Sequence, residues 1–450
     1  MSDLLTKNLT EEIKQSLAAG EMTQVRALLG ELYPEDIAEL FFSLSVDEMQ
    51  EVLDILEKDE AVKTLTALDE DLRLKLLKLY TPDHIAKEFV DYMDSDDAAD
   101  MLNELPADFA EEVIALLTDE EQAHNVTSLL RYKDDTAGGL MAKELVKVNL
   151  NWTLAECVEE IREQAENVDR VYSVYVVDNK NRLKGIVALK SIILSPATTK
   201  VEAIYNPDIQ EVTTYTPGEE VAQMMNKYGL VALPVVDALG RLMGRITIDD
   251  VVEFIKDEAD RDYQLLSGIS EDVELTDKVW ILSRARLPWL LIGLLGGIAS
   301  SRVVGLYEGE LILHPQMAFF MPLVAAMGGN AGVQSSAIVV QGLANNTMGT
   351  KDIMPKLGKE FLVALINGLI CSLVIFGYNL FIGSPQSLSI TVGTALLSVI
   401  IFASILGMVV PLLLDKAKID PALATGPFIT TTNDLLGLGV YFTIGQILLN

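Results

Sequence analysis

The sequence is poor in cysteine, histidine and basic residues, and each scarcity excludes a class of protein. Two cysteines, Cys157 and Cys371, occur in 450 residues. Two thiols give no disulfide framework, which fits a reducing cytosol. The three histidines, His84, His124 and His314, are scattered, and neither a Ser/His/Asp set nor a Walker-type phosphate loop is present. The sequence therefore does not predict an enzyme.

The scarcity of basic residues is confined to one part of the chain. Lys and Arg number 34 against 66 Asp and Glu, which gives a formal net charge of −32. From residue 281 onward, eight basic residues nearly balance seven acidic ones, so nearly all of the negative charge lies in the first 280 residues. The segment MSDLLTKNLTEEIKQSL has no apolar core and predicts no secretory signal. We predict an acidic soluble half followed by an apolar half.

The apolar half contains five runs long enough to cross a membrane, for which a helix needs about 20 apolar residues. They cover residues 287–307, 317–345, 358–383, 389–414 and 424–449. Lys and Arg near spans are retained in the cytoplasm, so the side that carries them indicates orientation. We predict a multi-pass plasma-membrane protein with its acidic half in the cytoplasm and its C-terminus outside. The basic residues that flank the runs all fall on one side, at Arg284, Arg286, Lys351, Lys356, Lys359, Lys416 and Lys418.

Residues 1–135 predict an all-α N-domain. Segments such as ALLGELYPEDIAELFFSL place apolar residues three and four apart, with Pro, Ser, Thr or Asp where one short helix gives way to the next. The recurrence of such helices indicates a small α-superhelix. Its acidic face is either solvated surface or a cation-binding surface. The densest acidic stretch contains Asp91, Asp94, Asp96, Asp97 and Asp100.

Residues 136–250 contain an internal repeat. The segment VYVVDNKNRLKGIVALKSI realigns on LPVVDALGRLMGRITIDDV at a spacing of 59 residues, and each copy predicts a strand, a turn, a second strand and a helix. The repeat resembles a tandem pair of CBS domains, an α/β module that binds adenine nucleotides in some members. Gly244, Thr247 and Asp250 have the G-x-x-T-x-x-D spacing of nucleotide-binding members, which implies ATP as a ligand. The alternative is a structural pair without a ligand.

Residues 251–280 predict an acidic connecting helix between the repeat and the first span. The stretch DDVVEFIKDEADRDYQLLSG carries seven acidic residues against two basic ones. Like charges this close repel one another unless cations lie between them, although a solvated linker is the simpler interpretation.

Two stretches of the apolar half, residues 281–450, indicate a cation pathway. Asp434 lies deep in the last run, after Thr430, Thr431, Thr432 and Asn433. A carboxylate at that depth is energetically costly and indicates an ion pathway, and oxygen ligands without His or Cys suit Mg²⁺; a structural role, such as an interhelical hydrogen bond, is the alternative. The second stretch, MGGNAGVQSS (residues 327–336), predicts a helix that breaks at mid-depth to line a cavity. Close packing of small residues is the alternative.

These segments together resemble the MgtE family of magnesium channels and transporters. The resemblance rests on PLVAAMGGNAGVQSSAIVVQGLA (322–344), DPALATGPFITTTNDLLGLGVYF (420–442), the CBS-like pair and the acidic N-domain. It implies a homodimer in membrane lipid, with a pore of five helices per subunit in which Asp434 of each subunit faces a hydrated Mg²⁺. The other implied pore residues are Gly328, Gly329, Asn330, Gly332, Gly426, Pro427, Thr430 and Asn433.

The resemblance also implies that cytosolic Mg²⁺ binds the soluble half and closes the pore. The implied regulatory ligands are Asp96, Asp100, Glu219, Asp250, Glu253 and Glu258. Gly229 and Arg261 stand where relatives carry acidic residues, and Val333 and Gly426 stand where some carry polar ones. Two other functions remain open: a transporter of broader divalent specificity, and a membrane-anchored magnesium or nucleotide sensor that does not conduct. A nucleic-acid partner is not expected.

Overall fold

A computed structural model of the chain describes residues 3–165, 168, 170–270, 273, 278–344, 353–424 and 426–449. The chain forms two compact units, Met1–Lys256 and Asp257–Asn450. Lys351 and most of residues 271–277 of the predicted connector lie outside the described residues.

In the described part of the chain, the first unit begins with ten α-helices, which confirms the predicted all-α N-domain. Local capping signals define their ends: Ser45 Oγ accepts the amide of Glu48, and the Glu48 carboxylate accepts the amide of Ser45 at 2.7 Å. Proline occupies the first turn of α3 and of α7. The helices are α1 Asp3–Ala19, α2 Met22–Leu29, α3 Pro34–Phe41, α4 Val46–Ile55, α5 Lys58–Thr66, α6 Glu70–Leu77, α7 Pro82–His84, α8 Ser95–Asn103, α9 Ala107–Ala115 and α10 Glu120–Leu129.

Two similar three-stranded sheets follow, which confirms the predicted repeat. In each, the first strand runs parallel to the second and the second runs antiparallel to the third. An isolated bridge joins Arg182 to Arg241, which are equivalent positions in the two copies. The elements are β1 Val146–Asn149, α11 Leu154–Gln164, β2 Val174–Val177, β3 Leu183–Val187, α12 Leu189–Leu194, β4 Val212–Thr213, α13 Gly218–Tyr228, β5 Ala232–Val236, β6 Leu242–Thr247 and α14 Ile248–Leu266.

One apolar core joins the N-terminal helices to the second sheet. Phe41, Leu65 and Val113 belong to the same buried cluster as Val235 and Ile246. The first sheet has a separate core. Because burial of apolar area stabilises contacts, the helices are held mainly against the second copy of the repeat.

The second unit contains the long helices of the apolar half. By length and composition, four of the described helices can cross a membrane: Val279–Leu306, Pro315–Leu343, Met354–Phe381 and Gln386–Lys416. The fifth, Gly426–Leu449, is a helix of 24 residues that is not among those four. The polar run Thr430–Asp434 lowers its hydropathy. The helices are α15 Val279–Leu306, α16 Glu308–Leu313, α17 Met321–Ala344, α18 Ile353–Phe381, α19 Gln386–Lys416 and α20 Gly426–Leu449.

The predicted helix break is wrong. Helix α17 runs without interruption through MGGNAGVQSS. Its small residues instead allow close packing, because a Cβ at Gly407 of α19 would overlap the backbone of Gly332 in α17. Helix α19 packs against α17, α18 and α20. The alternative interpretation, close packing of small residues between helices, describes this segment correctly.

Candidate functional sites

Asp434 lies at the contact between α17 and α20. A Cβ at Gly329 of α17 would lie 3.6 Å from Thr430 Cγ2 and 3.9 Å from Asp434 Oδ1. Asp434 itself is half-buried. Because Gly329 has no side chain, the Asp434 carboxylate approaches the backbone of α17.

The neighbouring Asn433 belongs to the helix interface. It is 1% exposed, and neither its Oδ1 nor its Nδ2 has a hydrogen-bond partner in the described part of the chain. A Cβ at Gly332 would overlap Asn433 Nδ2. A Cβ at Gly328 would lie 2.9 Å from Val399 Cγ1 and 4.0 Å from the Asn433 carbonyl. Within one chain, Gly328, Gly332 and Asn433 therefore serve the close packing of α17.

The beginning of α20 packs against the end of α14. A Cβ at Gly426 would lie 2.5 Å from the carbonyl oxygen of Leu266, and a Cβ at Gly268 would lie 2.6 Å from Pro427 Cγ. Glycine at position 426 is thus explained by this close approach. The Thr430 hydroxyl bonds the carbonyls of Gly426 at 3.3 Å and Pro427 at 3.1 Å, inside the same helix.

The predicted pore residues therefore divide into separate groups. The structure brings Gly329, Thr430 and Asp434 together. It places Gly426 and Pro427 beside the end of α14, and it leaves Asn330 exposed on α17.

In the first unit, α8 faces the beginning of α14 through several carboxylates. Burial, followed by the charges of Asp97 and Asp250, raises the pKa of Asp96 well above its usual range. Burial, with Asp94 and then Asp250, raises the pKa of Asp97 to about 7. Asp100 keeps contact with solvent, yet the loss of part of its hydration, with the charges of Asp134 and Glu253, raises its pKa to about 7. We name Asp96, Asp97, Asp100, Asp250 and Glu253 the carboxylate cluster.

A cation would relieve the repulsion within the carboxylate cluster. Without one, carboxylates with such pKa values cannot all remain ionised at neutral pH. No three His, Cys, Asp or Glu side chains converge closely enough to hold a bare ion among the described residues.

Asp250 has a structural role in addition to its place in the cluster. Its Oδ2 accepts the amide of Thr247 at 2.9 Å and the Thr247 hydroxyl at 2.6 Å. These bonds cap the first turn of α14. Burial raises the pKa of Asp250, although the two bonds from Thr247 oppose the shift.

A cavity of about 620 Å³ opens beside α14 in the first unit. Its lining includes Arg170, Tyr172, Ile248, Asp249, Glu253 and Lys256, but not the predicted Gly244, Thr247 or Asp250. Thr247 and Asp250 instead cap the start of α14, and Gly244, inside β6, lies against Met141 and Ala142. Sequence analysis missed Arg170 and Tyr172, although the basic and aromatic residues of DRVY, just before β2, were visible.

Arg245 is buried and contacts two residues of the cavity wall. It is 5% exposed, its Nη1 donates to the carbonyl of Arg170 at 3.0 Å, and its guanidinium lies 5.4 Å from the centre of the Tyr172 ring. Arg245 therefore holds two residues of the cavity wall in place.

The remaining predicted regulatory residues, Glu219 and Glu258, lie on α13 and near the end of α14. Glu219 is exposed in the first turn of α13. Glu258 forms an ion pair with Arg261 at 2.8 Å. Gly229 ends α13 with φ +63°, a left-handed conformation that favours glycine over an acidic residue.

Comparisons with known proteins agree along the whole chain. Residues 321–444 match the MgtE family model, described as a divalent cation transporter, residues 32–135 match the MgtE intracellular N domain, and residues 137–197 and 201–257 match the CBS domain. The magnesium transporter MgtE of Thermus thermophilus is 33% identical over 99% of both chains. The magnesium transporter MgtE of Bacillus subtilis is 29% identical over 95% of this chain and 94% of its own. A solved cytosolic domain of the Mg²⁺ channel MgtE in complex with ATP is 34% identical, with a TM-score of 0.52, and covers 54% of this chain and 99% of its own.

Proposed function

The chain belongs to the MgtE family of divalent cation transporters, and from this premise we propose that it carries Mg²⁺ across the cell membrane down its electrochemical gradient. The family consists of transporters and not enzymes. One observation carries the proposal: Asp434 stands beside Gly329 in the membrane unit, at a depth where a carboxylate is costly and has a functional reason. An inside-negative potential favours entry of a divalent cation by about 2.3 kcal/mol per charge per 100 mV.

Selection of Mg²⁺ rests on the water around the ion. Mg²⁺ loses its hydration shell reluctantly and is commonly bound through waters by one or two carboxylates. In a homodimer, Asp434 of each subunit would supply one carboxylate to a shared ion. With glycine at position 329, no side chain of that residue covers the Asp434 carboxylate, and this supports the assignment of Asp434 as the selectivity residue.

Cytosolic Mg²⁺ closes the pore through the carboxylate cluster. When Mg²⁺ is scarce, repulsion among these carboxylates disfavours the contact of α8 with α14. When Mg²⁺ is plentiful, ions between the carboxylates stabilise the compact form. Each ion contributes only the difference between its affinities for the compact and the open form. Helix α14 carries Asp250 and Glu253 near its beginning, and its last residue, Leu266, lies against Gly426 of α20. Movement of α14 would therefore reach the helix that bears Asp434.

The cavity beside α14 is the proposed ATP site. Tyr172 offers a ring for stacking on adenine, and Arg170 and Lys256 offer positive charge to phosphates. The ATP complex of the relative's cytosolic domain supports this assignment. We expect Tyr172→Ala to weaken ATP binding to the full-length protein at least about tenfold, because loss of base stacking costs roughly 1–3 kcal/mol. Titration of a fluorescent ATP analogue measures this, with Tyr175→Phe as the control. Equal affinity in all three proteins would contradict the site.

The basic flanks support a cytoplasmic first unit and an extracytoplasmic C-terminus. Transport and closure are tested together in reconstituted vesicles. Influx of Mg²⁺, Mn²⁺, Co²⁺ and Ca²⁺ is measured separately, with and without Mg²⁺ on the side of the first unit. We expect Mg²⁺ influx that stops when Mg²⁺ is present on that side. Influx of the other ions at equal rates would favour the hypothesis of a broader divalent-cation transporter. No influx of any ion would contradict the proposed transport.

A further inference from the structure

Three helices of the membrane unit meet closely at one level. A Cβ at Gly407 of α19 would overlap the carbonyl of Gly332 in α17, and a Cβ at Gly332 would overlap Asn433 Nδ2 of α20. We call these three residues the three-helix crossing. One turn earlier in α17, a Cβ at Gly328 would lie 2.9 Å from Val399 Cγ1. The contacts advance together along α17 and α19, so these two helices run in the same direction.

Two buried side chains at this level have no hydrogen-bond partner among the residues that the structure describes. Asn433 is 1% exposed and neither atom of its amide is bonded, while Ser336 is fully buried and its Oγ is not bonded either. Ser336 follows Gly332 by one helical turn, so both lie on the same face of α17. Because the Asn433 amide stands nearly where a Gly332 Cβ would be, Ser336 Cβ lies about 5–6 Å from it. That separation suits one bridging molecule better than a direct bond.

A backbone carbonyl adds a third polar group. Pro411 lies inside α19, one turn after Gly407. Because proline has no N–H, the Gly407 carbonyl lacks the donor that the residue four positions on normally supplies. Helical carbonyls point toward the C-terminal end of the helix. Since α17 and α19 run in the same direction, the Gly407 carbonyl points toward the level of Ser336.

We propose that one water molecule binds at the three-helix crossing and bridges the Asn433 amide, the Ser336 hydroxyl and the Gly407 carbonyl. A buried water typically makes about three hydrogen bonds to polar groups that have no other partner. A metal ion does not suit this set, because Asn433 Nδ2 is a donor, which a water oxygen accepts and a cation repels. The burial of all three groups explains why such a water would be held tightly.

The bridge makes Asn433 a positioning residue for its neighbour Asp434. Through the water, α20 is fixed to α17 and α19 one residue away from the carboxylate. The water site itself does not depend on transport, whereas its effect on influx rests on the proposed function of Asp434.

The inference predicts that substitutions of Asn433 and Ser336 are coupled although the two side chains do not bond each other. Asn433→Leu replaces the amide with an apolar group of similar shape, and Ser336→Ala removes the hydroxyl. With a shared water, each single variant should lower the melting temperature by a few degrees, because it leaves the other groups without a partner. The double variant should lose little more than the larger single effect. Without a water, each substitution removes an unsatisfied polar group, so the melting temperature should stay the same or rise.

The matched control is Asn379→Leu. Asn379 is also fully buried with an unbonded amide, but it lies on α18. The Ser335 side chain bonds Glu360 of α18 at 2.6 Å, and Asn379 lies about 28 Å further along that helix. The effects of Asn379→Leu and Ser336→Ala should therefore add.

Thermal unfolding of the full-length protein in lipid nanodiscs measures this coupling, and a cryo-EM map that resolves ordered waters shows the site directly. We expect density within hydrogen-bond distance of all three groups in the wild type and none in Asn433→Leu. Additive effects of Asn433→Leu and Ser336→Ala, a higher melting temperature in either variant, or no density in the wild type would overturn the water site.

Influx into vesicles, measured well below the melting temperatures, tests the positioning of Asp434. We expect Ser336→Ala to reduce Mg²⁺ influx several-fold, an effect that lower stability alone would not produce in protein that is still folded. Influx at the wild-type rate would refute the positioning. If the wild type itself carries no Mg²⁺, the proposed function fails, while the unfolding cycle and the density still decide whether the water binds.

Discussion

Glycines of α17 differ in what a methyl group at each position would meet. A Cβ at Gly329 would make ordinary contacts with Thr430 and Asp434, whereas a Cβ at Gly332 would overlap Asn433 Nδ2 and lie 2.8 Å from Ile429 Cγ2. The same substitution thus separates two roles of neighbouring residues. Gly329 provides space beside the carboxylate, and Gly332 provides contact between helices.

We predict that Gly329→Ala leaves the folded protein stable but reduces Mg²⁺ influx several-fold, because the methyl group takes space from water at Asp434. Gly332→Ala should destabilise the fold by about 1–3 kcal/mol through overpacking. Thermal unfolding in detergent and flux in vesicles measure the two effects. An equal fall in melting temperature for both variants would contradict the distinction.

At the scale of elements, α14 carries residues of three features: the cap at its beginning, the carboxylate cluster with the cavity wall, and the contact with α20. Thr247 and Asp250 cap its beginning, Glu253 belongs both to the carboxylate cluster and to the cavity wall, and Leu266 lies against Gly426. A displacement at the beginning of α14 can reach its end only if the helix stays intact from its first turn. The cap at Thr247 is therefore functionally relevant as well as structural.

We predict that Thr247→Val weakens the first turn of α14 by about 1 kcal/mol, since it removes the hydroxyl that donates to Asp250. Amide hydrogen exchange of residues 248–254 should then accelerate about fivefold. Thr247→Ser keeps the hydroxyl and should exchange as wild type does. Unchanged exchange in Thr247→Val would show that the cap contributes nothing.

Secondary-structure elements could be predicted where a sequence pattern repeats. Contacts between residues far apart in the sequence could not be predicted in this way. The 59-residue repeat predicted both sheets because β2–β3 and β5–β6 carry the same alternation and turns. The glycines of MGGNAGVQSS were misinterpreted as a break, because a glycine pattern reports a small helix cross-section as readily as an irregular backbone. Arg170 and Arg245, 75 positions apart, and Arg73 and Glu104, 31 apart, meet only through the tertiary fold.

At the scale of the whole molecule, the proposed closure makes protons and Mg²⁺ competitors for the same carboxylates. The pKa values of Asp97 and Asp100 are about 7 in the compact first unit, against 3.8 for an unperturbed Asp, and those of Asp96 and Asp250 are also raised. The compact form therefore binds more protons than the open form. Its stability is greatest at low pH and falls as the pH rises through about 7.

We predict that, without Mg²⁺, the first unit resists proteolysis at pH 6 and is cleaved faster at pH 8. Saturating Mg²⁺ should remove this difference, because ions then take the place of protons. Asp97→Asn with Asp100→Asn should flatten the pH dependence without Mg²⁺. Proteolysis of the full-length protein at the two pH values measures each effect, and faster cleavage at pH 6 than at pH 8 would reverse the predicted sign.

The assignment of Asp434 to the ion pathway is the central claim, and Mg²⁺ influx into reconstituted vesicles tests it most directly. Asp434→Ala is compared with wild type and with Asp420→Ala, which removes a carboxylate that accepts the Ala422 amide at 2.8 Å just before α20. We predict that Asp434→Ala assembles normally but conducts no more than protein-free vesicles, while Asp420→Ala stays within about twofold of wild type. Wild-type influx through Asp434→Ala would contradict the account.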